Sequence, residues 1–157
     1  MHAIIDTPVG AVGLSWEGEA VTGVDLEPQP RRNESGHNGA ALPPAISDAL
    51  DAYFLAGSHC IDLPVDLRGT PFQLRVWQAL RGIDPGETRT YGALARELGT
   101  SPRALGGACR ANPCPIIVPC HRVVAADGLG GFAGDKSGRK LAIKRWLLEH
   151  EGVALHA

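Results

Sequence analysis

Cys120, His121 and Arg122 stand together inside an otherwise apolar run, IIVPCHRVV, at positions 116–124. A chain that buries this run must give the histidine and the arginine partners, because an unpaired buried charge is costly. The fold is therefore constrained to bring polar groups to one interior point. The cysteine itself can be packing material, a metal ligand or a nucleophile. A free thiol packs as a small hydrophobe and is inert when its surroundings raise its pKa. Pro119 pushes Val118 toward an extended conformation, so residues 115–118 are expected as a buried strand-like segment leading to the cysteine.

The chain has 157 residues, enough for one domain or two small ones. The N-terminus, MHAIIDTPVG, lacks the basic start and long apolar core of a signal peptide. No apolar run approaches the roughly 18–20 residues of a membrane span. A cytoplasmic protein is expected, with Cys60, Cys109, Cys114 and Cys120 as reduced thiols rather than a disulfide framework. The C-x4-C-x5-C-H run does not match the C-x2-C pairs of common zinc sites, so no metal is expected.

Charge is unevenly distributed. Residues 1–66 hold two Lys/Arg against ten Asp/Glu, a balance of −8, whereas residues 67–157 hold thirteen against seven, or +6. A basic second half suits a polyanionic partner; two solvated surfaces that merely differ would give the same split.

Residues 3–27 show short β-like runs, AIIDTPVGAVGLSW and AVTGVDL, broken by turn signals. EPQPRRNESGHNGAALPP reads as a mobile loop. AISDALDAYFLAG has helical spacing at Ile46, Leu50, Tyr53 and Phe54, and CIDLPVDLRG is an extended segment running to a boundary near Arg68–Gly69. Beyond it the punctuation is helical. Thr70, Pro71 and Gln73 form an N-terminal capping box for a helix with Phe72, Val76, Trp77 and Leu80 as its stripe. TYGALARELG is a short helix from Thr90 to Gly99, and Ser101-Pro102 opens another, a helix-turn-helix signature. The last helix is expected to be capped by Ser137 and stopped at Gly152, with Ile143, Trp146 and Leu147 inward.

On the second helix of the pair, Arg103, Gly106, Gly107 and Arg110 share one face. Each interior glycine costs about 1 kcal/mol relative to alanine. Two together imply close approach to the backbone, by a packed helix or by a nucleic-acid groove. The flanking arginines favour the groove, and a slender face of this kind suits the minor groove.

A thiol at position 120 needs help to ionise, and histidine is the usual helper. Sequence neighbours do not point the same way, so a proton would pass from Cys120 to His121 through a water. His121 in turn needs a carboxylate, Glu151 or Glu149 of LLEHEG.

Taken together, TYGALARELG, PRALGGACRAN, NPCPIIVPCHRVV, GLGGFAG and KRWLLEHEG resemble the O6-alkylguanine-DNA alkyltransferases, or methylated-DNA–protein-cysteine methyltransferases, over about residues 67–152. The resemblance implies an α+β fold: a ribonuclease-H-like α/β domain over residues 1–66, then a mostly helical domain over 67–157 carrying the helix-turn-helix and the active-site cysteine. It implies that Cys120 accepts the alkyl group, His121 is its water-mediated base and Glu151 supports His121. Asn112 would hold the active-site turn, and Tyr91 would donate a proton to the departing guanine. Arg103 would enter the base stack, with Ala104, Gly106, Gly107, Arg110 and Tyr91 facing DNA. Pro119, Val123, Gly131, Phe132 and Ala133 would line the base pocket, the carbonyls of Cys120 and Val123 reading the guanine amine. The family more often has tyrosine where Phe132 stands, and serine then paired glycines where Ala133, Gly134 and Asp135 stand, which bears on alkyl-size preference.

The implied activity is irreversible transfer of an alkyl group from O6-alkylguanine in double-stranded DNA, with no metal or organic cofactor, by a monomer consumed in the reaction. The target base must leave the duplex, at a cost of a few kcal/mol. Two alternatives compete: a lesion-binding relative without transfer, which would carry tryptophan at the reactive position, and a Cys-His hydrolase, which would need a directly paired base and an oxyanion hole.

Overall fold

In the computed structural model, which describes residues 1–28, 42–130 and 138–155, the β-like N-terminal runs form a three-stranded antiparallel meander. Its strands are β1 (His2–Thr7), β2 (Gly10–Glu17) and β3 (Ala20–Asp25). Alternation puts Val12, Leu14 and Trp16 of β2 on one face, and all three are buried. Helix α1 (Pro44–Leu55) covers this region with Ile46, Leu50 and Tyr53 buried and Phe54 packed at the margin. The extended segment after α1 joins β3: Val21 N–H donates to the Pro64 carbonyl at 2.9 Å, and Asp66 N–H donates to the Val21 carbonyl at 2.9 Å. Most of the stretch read as a mobile loop, residues 29–41, lies outside the described residues.

The second half follows its punctuation. In α2 (Pro71–Arg81), Gln73 N–H donates to Thr70 Oγ1 at 3.1 Å and Thr70 N–H donates to Gln73 Oε1 at 3.0 Å, closing the capping box. Helix α3 (Tyr91–Leu98) is capped by Thr90 and ends at Gly99, whose φ of +69° lies in the left-handed region that glycine tolerates. Helix α4 (Pro102–Arg110) follows at once, capped by Ser101. The two-residue strands β4 (Arg89–Thr90) and β5 (Val123–Val124) pair in parallel, and α5 (Arg139–His150) closes the fold. Gly138 stands at the N-cap of α5 with no side-chain cap; Ser137, the expected cap, lies outside the described residues. No described helix is long and apolar enough to cross a membrane.

The two halves are tied by the backbone as well as by packing. Val24 N–H of β3 donates to the Pro113 carbonyl at 2.8 Å, Arg81 Nη2 of α2 donates to the Leu63 carbonyl at 2.8 Å, and Trp77 Nε1 links α2 to the Ala108 carbonyl of α4 at 2.9 Å. One connected set of buried side chains runs from Ala3 and Leu14 through Trp77 and Leu105 to Leu147.

The chain leaving α1 approaches the end of α5 so closely that a Cβ on Gly57 would overlap the carbonyl of His150. Gly57→Ala is therefore expected to destabilise the protein by about 1–3 kcal/mol. Chemical denaturation checks this, and wild-type stability would show that the two segments do not pack as described.

Candidate active site

Between α4 and the reactive triplet the chain makes a compact turn rather than the expected strand. Three prolines, Pro113, Pro115 and Pro119, remove donors that a strand would need. Asn112 supplies the replacement: its Oδ1 accepts from Cys114 N–H at 2.9 Å, and its Nδ2 donates to the Val118 carbonyl at 2.8 Å. Val118 N–H also donates to the Cys114 carbonyl at 2.8 Å. Ile116 pivots the turn at φ +77°, a conformation costing a β-branched residue about 1–3 kcal/mol, and is held there by burial. Pro119, with φ −81° and ψ 66°, then forms an inverse γ-turn closed by Cys120 N–H on the Val118 carbonyl at 2.8 Å. The segment is buried as expected, but folded back.

This turn delivers Cys120 to the first position of a 3-10 helix, Cys120–Arg122, with the sulfur buried. Asn112 Nδ2 lies 3.2 Å from Sγ, so the asparagine that shapes the turn also donates to the thiol. Burial pushes the thiol up to about 11, against the opposing effects of the Asn112 hydrogen bond and the Lys144 charge. Lys144 is fully buried on α5 and donates from Nζ to the Val123 carbonyl at 2.7 Å. Burial pushes its ammonium down to about 8, against the pull of the Cys120 and Cys109 sulfurs. Of the other thiols, Cys109 and Cys114 are buried and Cys60 is exposed; all four cysteines are free.

His121 pairs with Glu151, with Nε2 2.7 Å from Oε2. Glu151 is thus the carboxylate; Glu149 is exposed and lies 3.9 Å from Arg145. Glu151 is also gripped by Arg122, Nε to Oε1 at 2.8 Å and Nη2 to Oε2 at 3.0 Å, and Tyr53 Oη donates to Oε2 at 2.6 Å. Arg122 spends its remaining arm on the Ile83 carbonyl at 2.6 Å. Burial alone would push Glu151 up, but His121 and Arg122, through hydrogen bonds and charge, bring it down to about 2. For His121, burial dominates over Glu151, and the imidazole is held below its ordinary pKa. A neutral ring donating Nε2–H to a carboxylate leaves Nδ1 as the nitrogen able to accept a proton.

Tyr91, the first residue of α3, is half-buried, with Lys144 Nζ 5.8 Å from its ring centroid. Burial raises its pKa, so its hydroxyl stays protonated at neutral pH. On α4, Arg103, Ala104 and Arg110 are exposed. A Cβ on Gly106 or Gly107 would meet nothing closer than the Arg110 guanidinium at 3.9 Å. Among the described residues no packed helix explains these glycines. The Val123 carbonyl, expected to read a base, is engaged by Lys144, although a carbonyl oxygen retains a second lone pair. The Cys120 carbonyl accepts from Val123 N–H. Gly131, Phe132 and Ala133 lie outside the described residues.

Three side chains at this site were not picked out from the sequence. Lys144 and Glu151 are seven residues apart, with buried Leu147 and Leu148 between them on the same helical face, so the helical period carried a signal for the lysine. Arg122 announced only that it needed a partner. Tyr53 sits in the other half of the chain and gave no signal beyond its apolar stripe.

A family model described as 6-O-methylguanine DNA methyltransferase, DNA binding domain, matches residues 71–153. The methylated-DNA–protein-cysteine methyltransferase of Mycobacterium tuberculosis is 42% identical over 156 residues, 96% of this chain and 91% of that protein. A DNA base-flipping protein of Thermus thermophilus is 41% identical over 153 residues, 95% of this chain and 98% of that protein. The crystal structure of Mycobacterium tuberculosis OGT in complex with DNA has a TM-score of 0.78 to this chain at 40% identity, covering 96% of this chain and 92% of that one. With a family model over more than half of its length and relatives about 40% identical over nearly all of it, the chain belongs to the methylated-DNA–protein-cysteine methyltransferase, or O6-alkylguanine-DNA alkyltransferase, family.

Proposed function

We propose that Cys120 is the acceptor in direct repair of O6-alkylguanine in double-stranded DNA, taking the alkyl group irreversibly as a thioether. The observation that carries this is the buried Cys120 sulfur, hydrogen-bonded by Asn112 Nδ2 and under the charge of Lys144, in the residue that immediately precedes the buried His121–Glu151 pair. The thiol proton leaves through a water to His121 Nδ1, and Glu151 stabilises the imidazolium that forms. The thiolate attacks the alkyl carbon in line, the carbon–oxygen bond breaks toward guanine, and Tyr91 supplies a proton to the departing ring. Nothing in these steps calls for a metal or an organic cofactor.

The relative from Thermus is named for base flipping, and a binding role without transfer is the competing reading. The thiol at position 120 favours transfer. Helices α3 and α4, joined through Gly99-Thr100-Ser101, serve in this reading as a helix-turn-helix, with Arg103, Ala104, Gly106, Gly107 and Arg110 against the minor groove. Arg103 takes the place of the extruded nucleotide. The chain divides functionally near residue 66: a ribonuclease-H-like N-terminal part built on the meander and α1, and residues 67–157 for DNA binding and chemistry. The protein acts as a cytoplasmic monomer, and Pro119, Val123 and the 131–133 segment wall the base pocket.

Incubation with a duplex containing O6-methylguanine should add one methyl group to the peptide carrying Cys120, read by mass spectrometry, and Cys120→Ser should add none. A methylated Cys120→Ser protein would defeat the assignment. Arg103→Ala should slow transfer from duplex by on the order of 10–100-fold while sparing reaction with free O6-benzylguanine, since only the paired base must be flipped. Equal loss on both substrates would mean that Arg103 acts elsewhere. Lys144→Met should slow carbamidomethylation of Cys120 at neutral pH, where the lysine is charged, by about tenfold, because a cation acting on the sulfur is removed. An unchanged rate would separate Lys144 from the thiol.

A further inference from the structure

We infer that Tyr53 is a positioning residue for the alkyl transfer: its hydroxyl, carried in from the N-terminal half, fixes the Glu151 oxygen that holds His121 and thereby sets how readily His121 takes the thiol proton. This rests on the proposed role of Cys120 and His121, and extends it to a residue far from both in sequence.

The geometry is specific. Tyr53 Oη lies 2.6 Å from Glu151 Oε2, the same atom that lies 2.7 Å from His121 Nε2. Arg122 Nη2 reaches that oxygen too, at 3.0 Å. Three donors therefore share Oε2, and each draws on the negative charge that would otherwise favour an imidazolium at His121. Tyr53 is fully buried, so water cannot replace its hydroxyl. Its own pKa is driven up by burial and by Glu151, which keeps it a neutral donor.

Tyr53 is also held in place from two sides. His150, the residue before Glu151, lies with Nε2 2.7 Å from the Tyr53 carbonyl and so must donate to it. The Tyr53 ring packs edge-on against Phe54 at 5.2 Å and His150 at 5.4 Å between centroids. Gly57, just past α1, permits the contact with the 150–151 backbone. The end of α1 and the end of α5 are thus joined at the residue that must stay still while a proton passes. The charged and titratable groups acting on His121 are Glu151 and Lys144 of α5, Arg122 of its own turn and, through Glu151, Tyr53 of α1. Tyr53 is the neutral member, so removing its hydroxyl alters the hydrogen bonding without changing the net charge.

The test is the pH dependence of single-turnover alkylation by the full chain. Without the hydroxyl, more of the charge on Oε2 faces His121, the imidazolium is favoured, and neutral His121 is present only above a higher pH. Tyr53→Phe should move the acid limb upward by about half a unit to one unit, equally for methylated duplex and for free O6-benzylguanine. The His121 ring titration followed by NMR should move the same way. His150→Ala removes the bond to the Tyr53 carbonyl and leaves the hydroxyl, so it should lower stability and leave the acid limb in place. Should Tyr53→Phe not fold, a fluorinated tyrosine at position 53, a stronger donor, should move the limb downward. An acid limb unmoved by either change at position 53, or moved equally by His150→Ala, would reduce Tyr53 to a packing residue. Failure of the unmodified protein to methylate Cys120 would instead overturn the role assigned to that cysteine.

Discussion

A single buried carboxylate organises this molecule. Glu151 ends α5 and accepts from His121, Arg122 and Tyr53, three residues from two other parts of the chain. An ionised carboxylate in such a place is tolerated only when its lone pairs are filled, and removing one partner of a buried pair can cost about 3–5 kcal/mol. Once the carboxylate is satisfied, the 3-10 turn, the end of α5 and the end of α1 are fixed relative to one another, and with them the imidazole of His121.

Asn112 performs the complementary task on the other side of the sulfur. One amide group closes the turn through Cys114 and Val118 and also donates to Sγ. The backbone that presents Cys120, the proposed nucleophile, and the hydrogen bond that favours its ionised form thus depend on the same side chain. The strained φ of Ile116 fits this economy: a segment with three prolines can reverse direction in so few residues only by placing one residue in an unusual conformation.

What the sequence made legible was local. Thr70 with Gln73, Thr90 with Gly99 and Ser101 with Pro102 each set a helix end through contacts a few residues apart, and each stands where the pattern placed it. The partner of His121 could be narrowed to two glutamates, and only the helical phase of α5 chose between them. Residues 115–118 fold back instead of extending because the hydrogen bonds of Asn112 override the effect of Pro119 on Val118. Lys144 carries little local signal, since a lysine among Arg139, Lys140 and Arg145 looks like part of a solvated face. Tyr53 was legible as a core residue, and its hydroxyl was invisible because its partner lies 98 positions away.

The resting state of Cys120 has a consequence for a reagent that works once. With burial holding the thiol near 11, the sulfur is almost wholly protonated at neutral pH, and a protonated thiol reacts poorly with stray electrophiles, peroxides or metals. The same seclusion that makes ionisation difficult acts as a safety catch. In the proposed reaction only a substrate that aligns its carbon with the sulfur and gives the proton somewhere to go releases it, so selectivity resides in the dormancy of the weapon as much as in the shape of the target.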